Sequence, residues 1–137
     1  MERFFPKENI MLTGNPVRQN LLNESLIVEE CRKNFGLSPE LPTLLIIGGS
    51  LGARTINESI LSHYEEISQA PIQVIWQTGG YYYEHIKKEI SKKSPASNIV
   101  VKDFISNMDQ AYKAADLVVS RAGASSISEL CLLGKPS

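Results

Sequence analysis

From Thr43 onward the chain alternates short apolar runs with stretches whose apolar residues recur at helical spacing. The run 43–47, closed by Gly48-Gly49, predicts a buried strand. Ile56, Ile60, Tyr64 and Ile67 predict a helix over 53–68, and Pro71 then precedes a strand at 72–76. Tyr83, Ile86 and Ile90 mark a second helix, whose Lys87, Lys88, Lys92 and Lys93 form a solvated face. A strand at 99–101 follows, then a short helix carrying Met108, Ala111, Tyr112 and Ala115. A strand at 117–119 and a helix with Ile127, Leu130 and Cys131, ended by Gly134 and Pro136, complete the series. This β-α alternation predicts an α/β fold with a doubly wound parallel sheet.

The residues before Thr43 break the rhythm. Residues 10–13 form a candidate strand ahead of a Gly14-Asn15-Pro16 turn. Leu21, Leu22, Leu26 and Ile27 predict a helical segment, and 37–42, which holds two prolines, reads as a connector. Residues 1–13 are assigned to a linker and 14–137 to the domain. The chain stops at Gly134-Lys135-Pro136-Ser137, where a doubly wound fold would begin its next strand. The domain is therefore expected to be truncated, with an unpaired edge on 117–119 that invites self-association.

At 137 residues, 42% apolar and 21% charged, the chain has the length and composition of one globular domain. Fourteen Lys and Arg against fifteen Asp and Glu leave a net charge of −1, which argues against a nucleic-acid or anionic-membrane surface. The longest run of large aliphatic residues, Leu44 to Ile47, is far short of the roughly 18 that a membrane span needs. No basic segment is followed by the apolar stretch of a secretory signal. Cys31 and Cys131 lack a metal-binding spacing and read as buried thiols of a reducing compartment.

Ligands of open α/β sheets bind beyond the carboxyl ends of the strands, where the strand order reverses. In a 3-2-1-4 order the reversal falls between 43–47 and 117–119, so the loops 48–53 and 120–126 face one crevice. Both are small-residue loops that open a helix and offer oriented N–H groups to an anion. Four readings compete for the first. A dinucleotide fingerprint would use Gly48, Ser50 and Ala53, but the acidic ribose anchor would fall near Trp76 and Gln77, neither of them acidic. A Walker loop lacks its Gly-Lys-Ser/Thr. Gly48-Gly49-Ser50-Leu51-Gly52 fits the G-x-S-x-G elbow of a serine hydrolase, yet His63 and His85 both precede the candidate acids Asp103, Asp109 and Asp116. The fourth reading is a plain strand-to-helix turn.

In the second loop, Ser126-Ile127-Ser128-Glu129 fits a capping box, which would give Glu129 a purely structural task. The alternative offers its carboxylate to a pair of ribose hydroxyls. Arg18 and Arg121 are either surface cations or phosphate partners. His63 and His85 read as solvated, and Trp76 and Tyr81 to Tyr83 as core and helix-surface aromatics.

Four blocks appear in order: Gly14-Asn15-Pro16-Val17-Arg18; Gly48-Gly49-Ser50-Leu51-Gly52-Ala53-Arg54 with Asn57; Trp76-Gln77-Thr78-Gly79; and Ser120-Arg121-Ala122-Gly123-Ala124 with Ser128-Glu129. Together they resemble the C-terminal half of the MurG family, glycosyltransferases of the GT-B type that make lipid II from lipid I in peptidoglycan synthesis. The resemblance implies part of a Rossmann-like donor-binding domain for UDP-N-acetylglucosamine. It implies that Arg18 and Ser50 meet the donor diphosphate and that the Ile105 backbone meets the uracil, with Met108 nearby. Ala124, Ser125 and Ser126 would form the helix N-terminus under the phosphates, and Glu129 would anchor the ribose. The lipid I acceptor would bind an N-terminal domain, and no catalytic residue is assigned within this chain. No metal or cofactor is expected, and no Asp-x-Asp pair is present to hold one. The parent protein would be peripheral to the cytoplasmic face of the bacterial inner membrane.

Overall fold

Four strands, β1 (Thr43–Ile47), β2 (Gln73–Gln77), β3 (Ile99–Lys102) and β4 (Leu117–Ser120), pair in parallel in the order β3-β2-β1-β4. The computed structural model describes residues 6–11 and 14–137. Ile47 stands opposite Gln77 on one side and Ser120 on the other, and Gln77 opposite Lys102, so all four strands end at one edge. This is the expected order, with the reversal between β1 and β4.

The helices are α1 (Val28–Asn34), α2 (Arg54–Ser62), α3 (Tyr64–Gln69), α4 (Gly80–Ile90), α5 (Met108–Ala114) and α6 (Ala124–Leu133). Alternate strand residues point to opposite faces of the sheet. Leu45, Ile47, Ile75 and Val118 pack with Cys31, Ala111, Tyr112 and Leu130 beneath α1, α5 and α6. Ile46, Val74 and Trp76 pack with Tyr64, Ile86 and the flanking Ile56 and Ile60 beneath α2, α3 and α4. Two cores on one sheet are what double winding requires.

Several sequence expectations are corrected here. The helix foreseen over 53–68 is broken at His63, whose backbone sits at φ −102° and ψ 16°. The Ser59 carbonyl there accepts from the Ser62 hydroxyl at 2.8 Å and lies 2.9 Å from the His63 ring, local bonding that competes with the helical ladder. The helical segment expected around 21–27 is a 3-10 turn, Gln19–Leu22, and the helix proper, α1, begins at Val28. The Arg32 guanidinium staples α1 under the sheet by donating to the Ala114 and Pro39 carbonyls and to Asp116, which also accepts the Thr43 N–H. Ile10 and Met11 form no strand; Leu12 and Thr13, like 1–5 of the assigned linker, lie outside the described residues. Cys31 is buried but Cys131 is exposed. The outer edge of β4 is not bare, because the Val118 N–H donates to the Pro136 carbonyl at 3.0 Å. Trp76 is fully buried, and both histidines are exposed, as expected.

Candidate functional site

The loop after β1 is shaped by backbone sterics. Gly49 and Gly52 have φ of +83° and +82°, values open to glycine, and the Gly52 N–H closes the turn on the Gly49 carbonyl at 3.0 Å. A Cβ on Gly52 would lie 2.2 Å from the Thr78 carbonyl oxygen, so the turn is pressed against the loop that follows β2. Asn57 locks this contact by donating to the Thr78 carbonyl at 2.8 Å and accepting the Trp76 indole N–H at 3.0 Å. Ser50 is left exposed at the tip. Helix α2 has Ala53 at its N-cap and no side chain bonded there, so its first-turn N–H groups face outward.

The loop after β4 is shaped by side chains. Gly123 is the N-cap of α6, again without a side-chain cap, and Ile127 donates the first intrahelical bond, to Gly123 at 2.9 Å. Ala124, Ser125 and Ser126 therefore make up the uncapped first turn. Because the helix starts before Ser126, Glu129 lies in the second turn and the capping-box reading is overturned. Glu129 is instead 4% exposed, and both its oxygens accept from Arg18 Nη1 at 2.7 Å. Its Oε2 also accepts the Tyr112 hydroxyl at 3.0 Å. Burial, and then the Glu129 charge, raise the Tyr112 ionisation well above its usual range, so this hydroxyl stays a donor. Asn15 ties the Arg18 segment to α6 by donating to the Ala124 carbonyl and the Ser128 hydroxyl, both at 2.7 Å.

These elements enclose a cleft of about 240 Å³ at the carboxyl edge of the sheet. Arg18, Ser50, Ile105, Met108, Ser125, Ser126 and Glu129 all line it, together with Gln77, Phe104 and Tyr112. Ala124 does not line it but stands beside it at the start of α6. A second hollow of about 530 Å³, bounded by Arg121, shares Ile47, Gly49 and Ser126 with the first. Ile105 and Met108 are buried in the floor, and the Ile105 N–H donates to Gln77 Oε1 at 3.0 Å. The first turn of α6, a guanidinium and the Ser50 hydroxyl suit an anion, and a buried carboxylate suits neighbouring hydroxyl donors.

The sequence reading missed Asn15, Gln77 and Tyr112. The first two sat inside the quoted motif blocks without a task, whereas nothing local marks Tyr112, which meets Glu129 only through tertiary packing. The hydrolase reading fails on geometry among the described residues. Ser50 precedes α2 and His63 closes it, on the order of 13 Å of helix away. His85 lies exposed on α4. No group of three or more His, Cys, Asp or Glu among the described residues is placed to hold a metal ion. No helix among them is long and apolar enough to cross a membrane.

Residues 43–137 match the family model of the glycosyltransferase family 28 C-terminal domain. The chain belongs to this family. Three of the four motif blocks lie within that match, and the first, at 14–18, precedes it. A UDP-N-acetylglucosamine--N-acetylmuramyl-(pentapeptide) pyrophosphoryl-undecaprenol N-acetylglucosamine transferase of Parabacteroides distasonis is 57% identical over 136 residues, 99% of this chain and 37% of that protein. The enzyme of the same description from Bacteroides fragilis is 52% identical over 137 residues, 99% of this chain and 36% of its own length. The crystal structure of Acinetobacter baumannii MurG superposes with a TM-score of 0.58 at 29% identity, covering 78% of this chain and 31% of that one. The chain thus spans little more than a third of the length of these curated relatives. A family 28 C-terminal domain has the Rossmann-like α/β fold seen here, and the hydrolase alternative is not favoured.

Proposed function

We propose that residues 14–137 form the nucleotide-sugar-binding part of an inverting glycosyltransferase, which moves N-acetylglucosamine from UDP-N-acetylglucosamine to lipid I. The observation that carries the reading is the convergence of Arg18, Ser50, the α6 N-terminus and the buried Glu129 on one cleft at the strand-order reversal. In this reading the diphosphate lies between the two loops, against Ser50, Arg18 and the first turn of α6. The ribose hydroxyls donate to Glu129, which exchanges its bond with Arg18 for them. The uracil meets the Ile105 backbone, with Met108 nearby. As the acceptor hydroxyl attacks the anomeric carbon and UDP departs, the growing negative charge on the diphosphate is met by N–H groups and a cation already in place. No metal is required for this.

The acceptor and the group that takes its proton belong to the part of the longer relatives that this chain does not span. Lipid I reaches the site through an N-terminal domain, and the whole protein works peripherally at the cytoplasmic face of the inner membrane. Self-association of this chain at β4, through the exposed Leu117 and Val119 rather than through the edge already met by Pro136, is part of the same proposal. Calorimetric titration of the chain with UDP and with ADP tests the reading. It expects saturable one-to-one binding of UDP and much weaker binding of ADP, and equal affinities would contradict it.

A further inference from the structure

Gln77 is the last residue of β2, at the middle of the sheet's carboxyl edge, and is 5% exposed. Its two amide atoms reach in different directions. Oε1 accepts the Ile105 N–H at 3.0 Å, and Nε2 donates to the Gly49 carbonyl at 3.3 Å. The partners fix the amide's orientation, since an N–H can face only the oxygen and a carbonyl only the NH2 group. One side chain therefore joins the glycine turn after β1 to the turn after β3, across the floor of the cleft it lines. Neither turn has another side chain bridging it to the other among the described residues.

We infer that Gln77 is a positioning residue for the nucleotide: it sets the gap between the turn carrying Ser50 and the turn carrying Ile105. Only a neutral amide of this length can do so. A carboxylate would keep the Ile105 bond but repel the Gly49 carbonyl and bring negative charge to an anion site. A thioether would fill the space and make neither bond. The inference rests on the proposed nucleotide site but has a readout independent of it.

The test uses the 137-residue chain and the variants Gln77→Met and Gln77→Glu, with thermal unfolding, amide exchange by NMR, and calorimetry against UDP and uridine. Gln77→Met should stay folded, lose protection at the Ile105 amide, and bind both ligands about tenfold more weakly, the scale of one or two neutral hydrogen bonds. Gln77→Glu should keep Ile105 protected and lose more affinity for UDP than for uridine. A purely structural role would lower the unfolding temperature and leave the affinities of the folded variants alone, and that result would overturn the inference. Unchanged Ile105 protection in Gln77→Met would overturn it too. If wild type binds neither ligand while Ile105 loses protection in Gln77→Met, the bridge stands, but both the nucleotide site and Gln77's task toward it are refuted.

Discussion

The two loops at the sheet's carboxyl edge reach similar ends by different physics. The loop after β1 is a backbone construction: two glycines at positive φ, one turn bond, and a close approach to Thr78 that leaves no room for a Cβ. The start of α6 tolerates ordinary backbone, with Gly123 at φ −78°, and what sets it apart is a polar cluster in which the exposed Arg18 meets the buried Glu129 and Tyr112. The first loop should therefore fail sterically, through folding. The second should fail electrostatically, through binding, with the fold largely kept.

The largest expected effect is on the first loop. Gly52→Ala combines a left-handed backbone with a clash against the Thr78 carbonyl and should cost about 3 kcal/mol or more of stability, read by denaturant unfolding. A variant as stable as wild type would erase the contrast between the loops. On the other loop, Arg18→Ala should weaken UDP binding about tenfold to a hundredfold and uridine less, since a charged hydrogen bond to the diphosphate is lost. Glu129→Gln should weaken both ligands by a similar factor, because both carry the ribose. Calorimetry on the three proteins reads the split, and equal losses of UDP and uridine in Arg18→Ala would remove its phosphate role.

The smallest effect sharpens the same contrast. Tyr112→Phe removes one hydrogen bond to a carboxylate and should cost about 1–2 kcal/mol near neutral pH. The folded state holds the Tyr112 ionisation above that of the unfolded chain. Its contribution is thus complete below the unfolded pKa of about 10 and is lost as pH rises beyond it, where the unfolded chain releases its proton first. Unfolding curves at rising pH should fall less steeply for Tyr112→Phe than for wild type. Burial raises Tyr64 in both proteins, so part of the alkaline decline remains.

Much of this architecture was legible in the chain. The strands are short apolar runs between glycines and prolines, and the sheet takes a usual order for β-α alternation, so local pattern and tertiary structure agree. The glycine turn was legible for the same reason. What escaped depends on distant partners. Helix α1 has a mostly polar sequence and is held by Arg32 reaching Ala114 and Asp116. The start of α6 is set at Gly123 rather than at the better capping residue Ser126, which changes Glu129 from a possible cap into a buried acceptor. Tyr112 lies on a helix position that pattern alone assigns to the core, and Gln77 one residue past the strand expected at 72–76; only the assembled sheet turns their polar ends into the cleft.

The central claim is that the two loops form a single site. An NMR titration of the isotope-labelled wild-type chain with UDP tests it most directly. The account predicts that the amides of Gly49, Ser50, Ile105 and Ala124 to Ser126 shift together along one saturation curve. Shifts confined to one loop, or two loops saturating at different UDP concentrations, would contradict it.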